Sequence, residues 1–398
     1  MAFVSPMLKI RCVYCRKEFH PSDAMICSAT DFNKIFYMPP RQGSLGSYAS
    51  RFWATELTGA KYTTAMARRV CPFCHSLLPE RETDVPLNLA IVGDTSSGKT
   101  HFIAVLIDQL KHGLLMQAGS GSTRLISLSM ETDRKYRDEY YIPILQDKNA
   151  RTPGTKRGSY SASGTPELGK PLVYQLTLSD NQSGNVKSVN LIFYDISGEE
   201  IADSTLIVQF GEHIFRADGI IYLADPIAME RVRDKLPAHL QPDPSVITSR
   251  TAHEVLANVM FRFEQYQRIP PGGTIDIPTA IMLTKSDLLK YTIPVSAHRN
   301  YLIFQDKVYD GKAYPQEYAR IHQEVGTCLN AYGERALLQA STRFTNMNFF
   351  AVSATGGPPD GSGHYVALEP QRCLDPFVWM LWKLGYIEAA QSLQLSQP

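Results

Sequence analysis

Apolar and polar positions change rhythm near residue 85. Before it, no apolar repeat persists long enough for a helix. Isolated aromatics (Phe32, Phe36, Tyr37, Phe52, Trp53) lie among Pro39-Pro40, Gly43 and Gly46, so short strands and knuckles are expected. From Val85 onward, apolar runs of strand length alternate with helical stretches, the signature of an α/β sheet. Strands are expected at 85–92, 171–178, 189–194, 219–226, 279–283 and 348–352, and helices at 101–110, 252–267 and 376–384. The second and third strands flank the turn-rich segment 179–185 and read as a hairpin. Charged residues and tyrosines mix from Arg124 to Ala150 and run into the Gly-rich 151–158, which reads as a loop. Trp379 and Trp382, three positions apart, fit core packing. The division is a domain at 1–84 and a second at 85–398, with insertions near 124–170, 227–275 and 291–345.

The first expected strand runs into Gly93-Asp-Thr-Ser-Ser-Gly-Lys-Thr100, and a helical run follows at once. Strand, GxxxxGKT loop and helix are the context of a phosphate-binding loop. The glycines let backbone N–H groups converge on one anion, and the helix adds its positive end. Gly93, Asp94, Thr95, Ser96, Ser97, Gly98, Lys99 and Thr100 are the expected phosphate cradle. Lys99 would reach the terminal phosphates and the Thr100 hydroxyl would sit on Mg²⁺.

Later motifs close later strands, where open α/β sheets bind ligands. Asp195 ends an apolar strand and is the expected Mg²⁺ partner; Gly198 would offer its N–H to a γ-phosphate. Glu199 stands where a residue orienting the attacking water is often found. Thr284-Lys-Ser-Asp287 follows a buried strand. The Asp287 carboxylate can accept two hydrogen bonds from guanine N1–H and N2–H₂, a pair adenine lacks, while the Lys285 stem would pack on the base. Ser353-Ala354 would present a backbone N–H to guanine O6.

Composition adds constraints. The 398 residues are 44% hydrophobic and 20% charged, with a net charge of +1, which suits a soluble globular protein. No apolar run approaches a membrane span and no export signal opens the chain, so a cytoplasmic protein is expected. Residues 1–84 carry eleven Lys and Arg against seven Asp and Glu, a net of +4 too dispersed for a nucleic-acid stripe. Among seven cysteines, Cys12-Val-Tyr-Cys15 and Cys71-Pro-Phe-Cys74 form two knuckles that together supply four thiolates for structural Zn²⁺. The spacer from Arg16 to Val70 is 55 residues, so the knuckles would meet across an inserted subdomain. A redox role lacks the thioredoxin-like βαβ pattern; His20 and His75 are alternative ligands, or surface histidines. Cys27, Cys328 and Cys373 read as buried thiols.

The order GDTSSGKT, DISGEE, TKSD, SA resembles Ras-like GTPases of the translation-factor-related class. The CPFCHSLLPE, RADGIIYLADP and DPFVWMLWKLGYI segments narrow the resemblance to the bacterial double-GTPase proteins, type 2. It implies a three-layer α/β sandwich with a mostly parallel central sheet, preceded by a small zinc-ribbon-like domain. It also implies GTP and GDP as ligands, Mg²⁺ and Zn²⁺ as cofactors, and a place in bacterial conflict systems beside other GTPases and effectors. A switch threonine would complete the Mg²⁺ site, with Thr155 or Thr152 as candidates and Thr165 third. Thr284 replaces the commoner Asn, Glu199 the commoner Gln, and 94 residues separate Thr100 from Asp195. The expected activity is slow GTP hydrolysis by positioned water; Arg151 and Arg157 are candidate arginine fingers or plain surface charge. The expected partner is a second GTPase or an effector. An ATPase of another P-loop branch and a nucleotide-holding scaffold are the alternatives.

Overall fold

The structure is a computed structural model. It describes residues 10–12, 17–20, 23–28, 35–36, 67–73, 75, 78, 86–94, 96–119, 121–150, 159–160, 166–167, 171–181, 184–195, 217–242, 251–267 and 269–390. The chain forms two compact units, Met1–Pro86 and Leu87–Pro398.

In the first unit the described elements are short strands. Ile10–Arg11 pairs antiparallel with Glu18–Phe19, and Met25–Ser28 lies between Ile35–Phe36 and Ala67–Val70. Cys12, Phe19, Ala24, Cys71 and Leu78 form its buried cluster.

The second unit is built on a seven-stranded mixed sheet. Its strands are β1 (Pro86–Gly93), β2 (Gly121–Ser127), β3 (Leu172–Asp180), β4 (Val186–Asp195), β5 (Gly219–Ala224), β6 (Thr279–Leu283) and β7 (Met347–Ala351). The spatial order is β7-β6-β5-β1-β4-β3-β2. β1, β5, β6 and β7 are parallel: Leu89 faces Gly219, Ile220 faces Thr279, and Thr279 faces Met347. β3 and β4 form the expected antiparallel hairpin, with Leu172 opposite Phe193, and β2 adds an antiparallel edge. Every residue of β5 and β6 is buried, as expected for parallel strands covered on both faces.

The covering helices are α1 (Lys99–Lys111), α2 (Met130–Tyr136), α3 (Ala252–Gln267), α4 (Pro315–Tyr332), α5 (Arg335–Ser341) and α6 (Asp375–Lys383). Residues expected within an insertion supply α4, which packs on β7. It begins with Pro315, whose missing N–H costs nothing in a first turn, and stops at Gly333, φ 86°. Its stripe Tyr318, Ile321, Val325, Cys328, Leu329 and Tyr332 is buried. The tryptophans of α6 pack inward as expected: Trp379 meets Phe350 edge-on at 5.9 Å and Trp382 stacks on Tyr318 at 6.5 Å. A Cβ on Gly219 would lie 2.4 Å from Met380 Sδ, so a larger residue there would push the Met380 side chain of α6 aside.

The stretch from Arg124 to Ala150 departs from the expected loop. It completes β2, continues as α2, and then becomes a π-helix over Arg137–Gln146. Ser129 caps α2 by accepting the Thr132 N–H at 3.1 Å. Tyr136, Tyr140 and Ile144, four apart, are all buried; they are the apolar stripe hidden among the charges. Pro143 lies inside the π-helical turn, and Asp147 N donates five residues back to Ile142 O at 2.8 Å. Among the described residues no helix is long and apolar enough to cross a membrane.

Candidate functional site

Because β1, β5, β6 and β7 run parallel, the segments after them emerge at one edge of the sheet. Gly93 ends β1 with no room for a side chain: a Cβ would lie 2.7 Å from Ser97 Oγ and 2.8 Å from Leu223 O. The loop then turns through Ser96 at φ 66° and Gly98 at φ 84°. These left-handed residues bend the backbone over the start of α1, where Gly98 O accepts the first helical bond from Phe102 N at 2.9 Å. Lys99 is buried, and its ammonium donates to Gly93 O at 2.8 Å and Asp94 O at 2.7 Å. The cation is thus folded back over the loop that precedes it. Ser97 is buried too, and its Oγ has no hydrogen-bond partner among the described residues. A hydroxyl with unspent bonding capacity beside a lysine and a helix N-terminus suits an anion. Thr100 is half-buried one residue into the helix.

After β6, Thr284 hydrogen-bonds to Ala224 O through its N–H (3.0 Å) and its hydroxyl (3.3 Å), joining this segment to the end of β5. Lys285 takes a left-handed φ of 49° and pairs with Asp225 at 2.6 Å. A lysine in that region is strained by about 1–3 kcal/mol, a cost typical of binding loops. Asp287, 7% exposed, accepts a 2.6 Å hydrogen bond from the Ser353 hydroxyl. Burial pushes its carboxyl above the ordinary range, and the Ser353 bond works against that push. Ser353 is itself fixed: it exchanges backbone bonds with Gln371 at 3.1 and 2.8 Å, its O accepts from Cys373 Sγ at 3.2 Å, and its Oγ accepts from Gly356 N at 2.9 Å. Ala354 follows, half-buried.

The structure therefore brings Thr284, Lys285, Asp287 and Ser353 together at the edge that carries the loop of Gly93–Lys99. Asp195 ends β4, which neighbours β1 in the sheet. Thr95, Thr152, Thr155, Thr165, Arg151, Arg157, Gly198 and Glu199 lie outside the described residues. Sequence reasoning missed Asp225, Gln371 and Cys373. Asp225 carried the same signal as Asp195, an acid closing an apolar strand, whereas nothing local marks Gln371.

In the first unit, Cys12 and Cys71 are fully buried in one cluster. Phe73 N donates to Cys71 Sγ at 3.4 Å, and His75 N returns to Cys71 O at 3.0 Å with His75 at φ 58°. An N–H pointing at sulfur within a tight turn fits a metal knuckle. Cys15 and Cys74 lie outside the described residues, and among those described no cluster of three metal-ligating groups occurs. His75 is exposed; Cys328 and Cys373 are buried as expected, while the Cys27 side chain is outside the described set.

The second unit is thus a mixed α/β fold, consistent with a P-loop-like protein. No family model matches the chain. It is 27% identical over 341 residues to the "Putative ESX-1 scaffolding and assembly protein SaeC" of Mycolicibacterium smegmatis, covering 81% of this chain and 82% of that protein. A solved structure, Methanosarcina barkeri Roco2 RocCORdC bound to GDP, matches 68% of this chain with 13% identity and a TM-score of 0.24. This chain spans 45% of that structure, and at such a score the match carries no weight. Neither comparison names the double-GTPase family.

Proposed function

We propose that this protein is a Ras-like, GTP-binding switch that hydrolyses GTP slowly. The observation that carries the reading is the convergence, at one edge of four parallel strands, of the Lys99 loop and the Asp287–Ser353 pair. Strand order supports it: the parallel strands lie beside an antiparallel hairpin, with the phosphate-loop strand between them. In this reading the N–H groups of 94–100 and the Lys99 ammonium, released from its two carbonyls, hold the β- and γ-phosphates. Asp287 accepts from guanine N1–H and N2–H₂, while Ser353 fixes the orientation of the carboxylate. Thr100 and Asp195, with Thr155 or Thr152, would hold Mg²⁺, which when bound neutralises charge on the phosphates. Glu199 would orient the attacking water and Gly198 would sense the γ-phosphate. Cys12, Cys15, Cys71 and Cys74 would hold a structural Zn²⁺.

The relative's name supplies a biological setting: scaffolding and assembly. A nucleotide-dependent switch that recruits a protein partner during assembly fits that name as well as it fits the site. That setting has more behind it than a conflict system, which rests on the double-GTPase resemblance alone. Titration of the Mg²⁺-loaded protein with fluorescent GDP, GTP and ATP analogues tests the reading. Wild type should prefer guanine by at least about tenfold, and Asp287→Ala should lose the preference, because a site built for a hydrogen-bonding group discriminates strongly. Equal or tighter ATP binding would discard the role of 284–287. A scaffold that holds nucleotide without turnover would bind GTP and lose partner binding in Lys99→Ala, yet release no phosphate.

A further inference from the structure

His101 follows the phosphate loop directly, and its Nε2 lies 3.2 Å from Asn149 O. A carbonyl only accepts, so Nε2 carries the proton. Burial, with the charge of Lys285 added, lowers the pKa of the ring and keeps it neutral at pH 7. Tyr365 stands edge-on against it, with centroids 5.9 Å apart and planes at 79°. Tyr365 belongs to the long loop between Ser353 and Gln371, whose tip is tied down by a short antiparallel bridge. Asn149 pairs with His364, Ala150 N donates to Gly363 O at 2.9 Å, and Tyr365 N donates to Lys148 O at 2.8 Å. Burial raises the pKa of the Tyr365 hydroxyl, and the Asp287 carboxylate pushes it the same way. Two aromatic rings therefore join the start of α1 to the loop that leaves Ser353. Tyr365 stays only half-buried although its backbone is pinned.

We propose that Tyr365, backed by His101, is the aromatic wall against which the base of the bound nucleotide packs. The inference rests on the nucleotide reading above. A ligand with its phosphates at Lys99 and its base at Asp287 must lay ribose and base across the span these two rings line. Asp287 would then choose which base enters, and Tyr365 would set how tightly it stays. The 353–371 loop, tied to 148–150, thereby becomes part of the base site.

The test measures binding of fluorescent GDP to the full chain, and displacement of that probe by inorganic tripolyphosphate, for wild type, Tyr365→Phe and Tyr365→Leu. Tyr365→Phe keeps the ring and should bind GDP within about twofold of wild type. Tyr365→Leu should weaken GDP about tenfold, in line with base–aromatic stacking, while leaving the affinity for tripolyphosphate unchanged. GDP binding in Tyr365→Leu equal to wild type overturns the proposal. An equal loss for GDP and tripolyphosphate also overturns it, because the ring would then only support the fold. Wild type that binds tripolyphosphate but no GDP overturns the nucleotide reading and the wall together. GDP binding that depends on Asp287 but not on Tyr365 overturns the wall alone.

Discussion

Replacing Arg372 with Met tests whether the edge of the site is held by buried charge. Arg372 is 5% exposed and sits at φ 54° between Gln371 and Cys373, the two residues that fix Ser353. Its Nε meets Asp375 Oδ2 at 2.6 Å, its far nitrogen meets Glu317, and another donates to Leu302 O and Gln305 O, each at 3.1 Å. Lys307 joins the cluster at 2.7 Å from Glu317 and 3.8 Å from Asp375, and Tyr309 donates to Asp375 at 3.0 Å. Two cations thus balance two carboxylates. Burial opposes the charge on Arg372, but Asp375 and Glu317 more than offset it and raise its pKa.

With Met in place, Lys307 is the one cation of this cluster left for both carboxylates, and two carbonyls lose their donor. Breaking a buried pair costs about 3–5 kcal/mol. Lys307 and Tyr309 remain to serve Glu317 and Asp375, so the lower end, about 3 kcal/mol, is expected. Methionine's unbranched, adaptable chain keeps the lost packing small. In urea, with a slope of about 3 kcal/mol per molar, the midpoint should fall by about 1 M with the slope unchanged. A second arm adds Asp375→Asn alone and combined: residues in contact should show a coupling of about 1–3 kcal/mol. Because Gln371 and Cys373 position Ser353, guanine preference should also decline in Arg372→Met. A loss below about 1 kcal/mol, the range of surface pairs, or strict additivity with Asp375→Asn, would refute the reasoning.

Two further outcomes follow from the site and from the first unit. Asp287 has a folded pKa raised above its unfolded value, so the stability linked to it is present below about pH 3.9 and is lost as pH rises through the folded pKa. Asp287→Asn, which can still accept the Ser353 hydrogen bond, should therefore melt about 2 °C higher at pH 7 without nucleotide, with the gain shrinking toward pH 4; a lower melting temperature at pH 7 would contradict this. If Cys12 and Cys71 belong to a zinc site, the purified protein should carry about one zinc ion per chain, and Cys71→Ser or a strong chelator should remove it. Full zinc content in Cys71→Ser would rule out the assignment.

What was legible in the sequence followed from burial. β5 and β6 are covered on both faces, so they read as unbroken apolar runs, and Thr284, which follows β6, was located with its strand. Gly93 to Thr100 was legible because the bend needs glycine at fixed places, notably Gly98 at φ 84°. The segment from Arg124 to Ala150 was not, because its buried Tyr136, Tyr140 and Ile144 run from the end of α2 into a π-helix that also carries exposed charges and a proline. α4 was missed for a related reason: its buried stripe of tyrosine, cysteine and aliphatic residues is diluted by polar neighbours.

The site divides along the same line. Single motifs placed Lys99, Asp287 and Ser353, but the grip on Ser353 comes from Gln371 and Cys373, and the grip on that segment from Arg372 reaching Glu317 and Asp375. No local pattern announces such a grip, because each partner is an ordinary residue until folding makes it a neighbour. The positive φ of Arg372 shows that the contact is maintained against backbone preference. A strained residue whose charge is matched by Glu317 and Asp375, set between the two residues that hold Ser353, keeps a conformation that only the folded network supports.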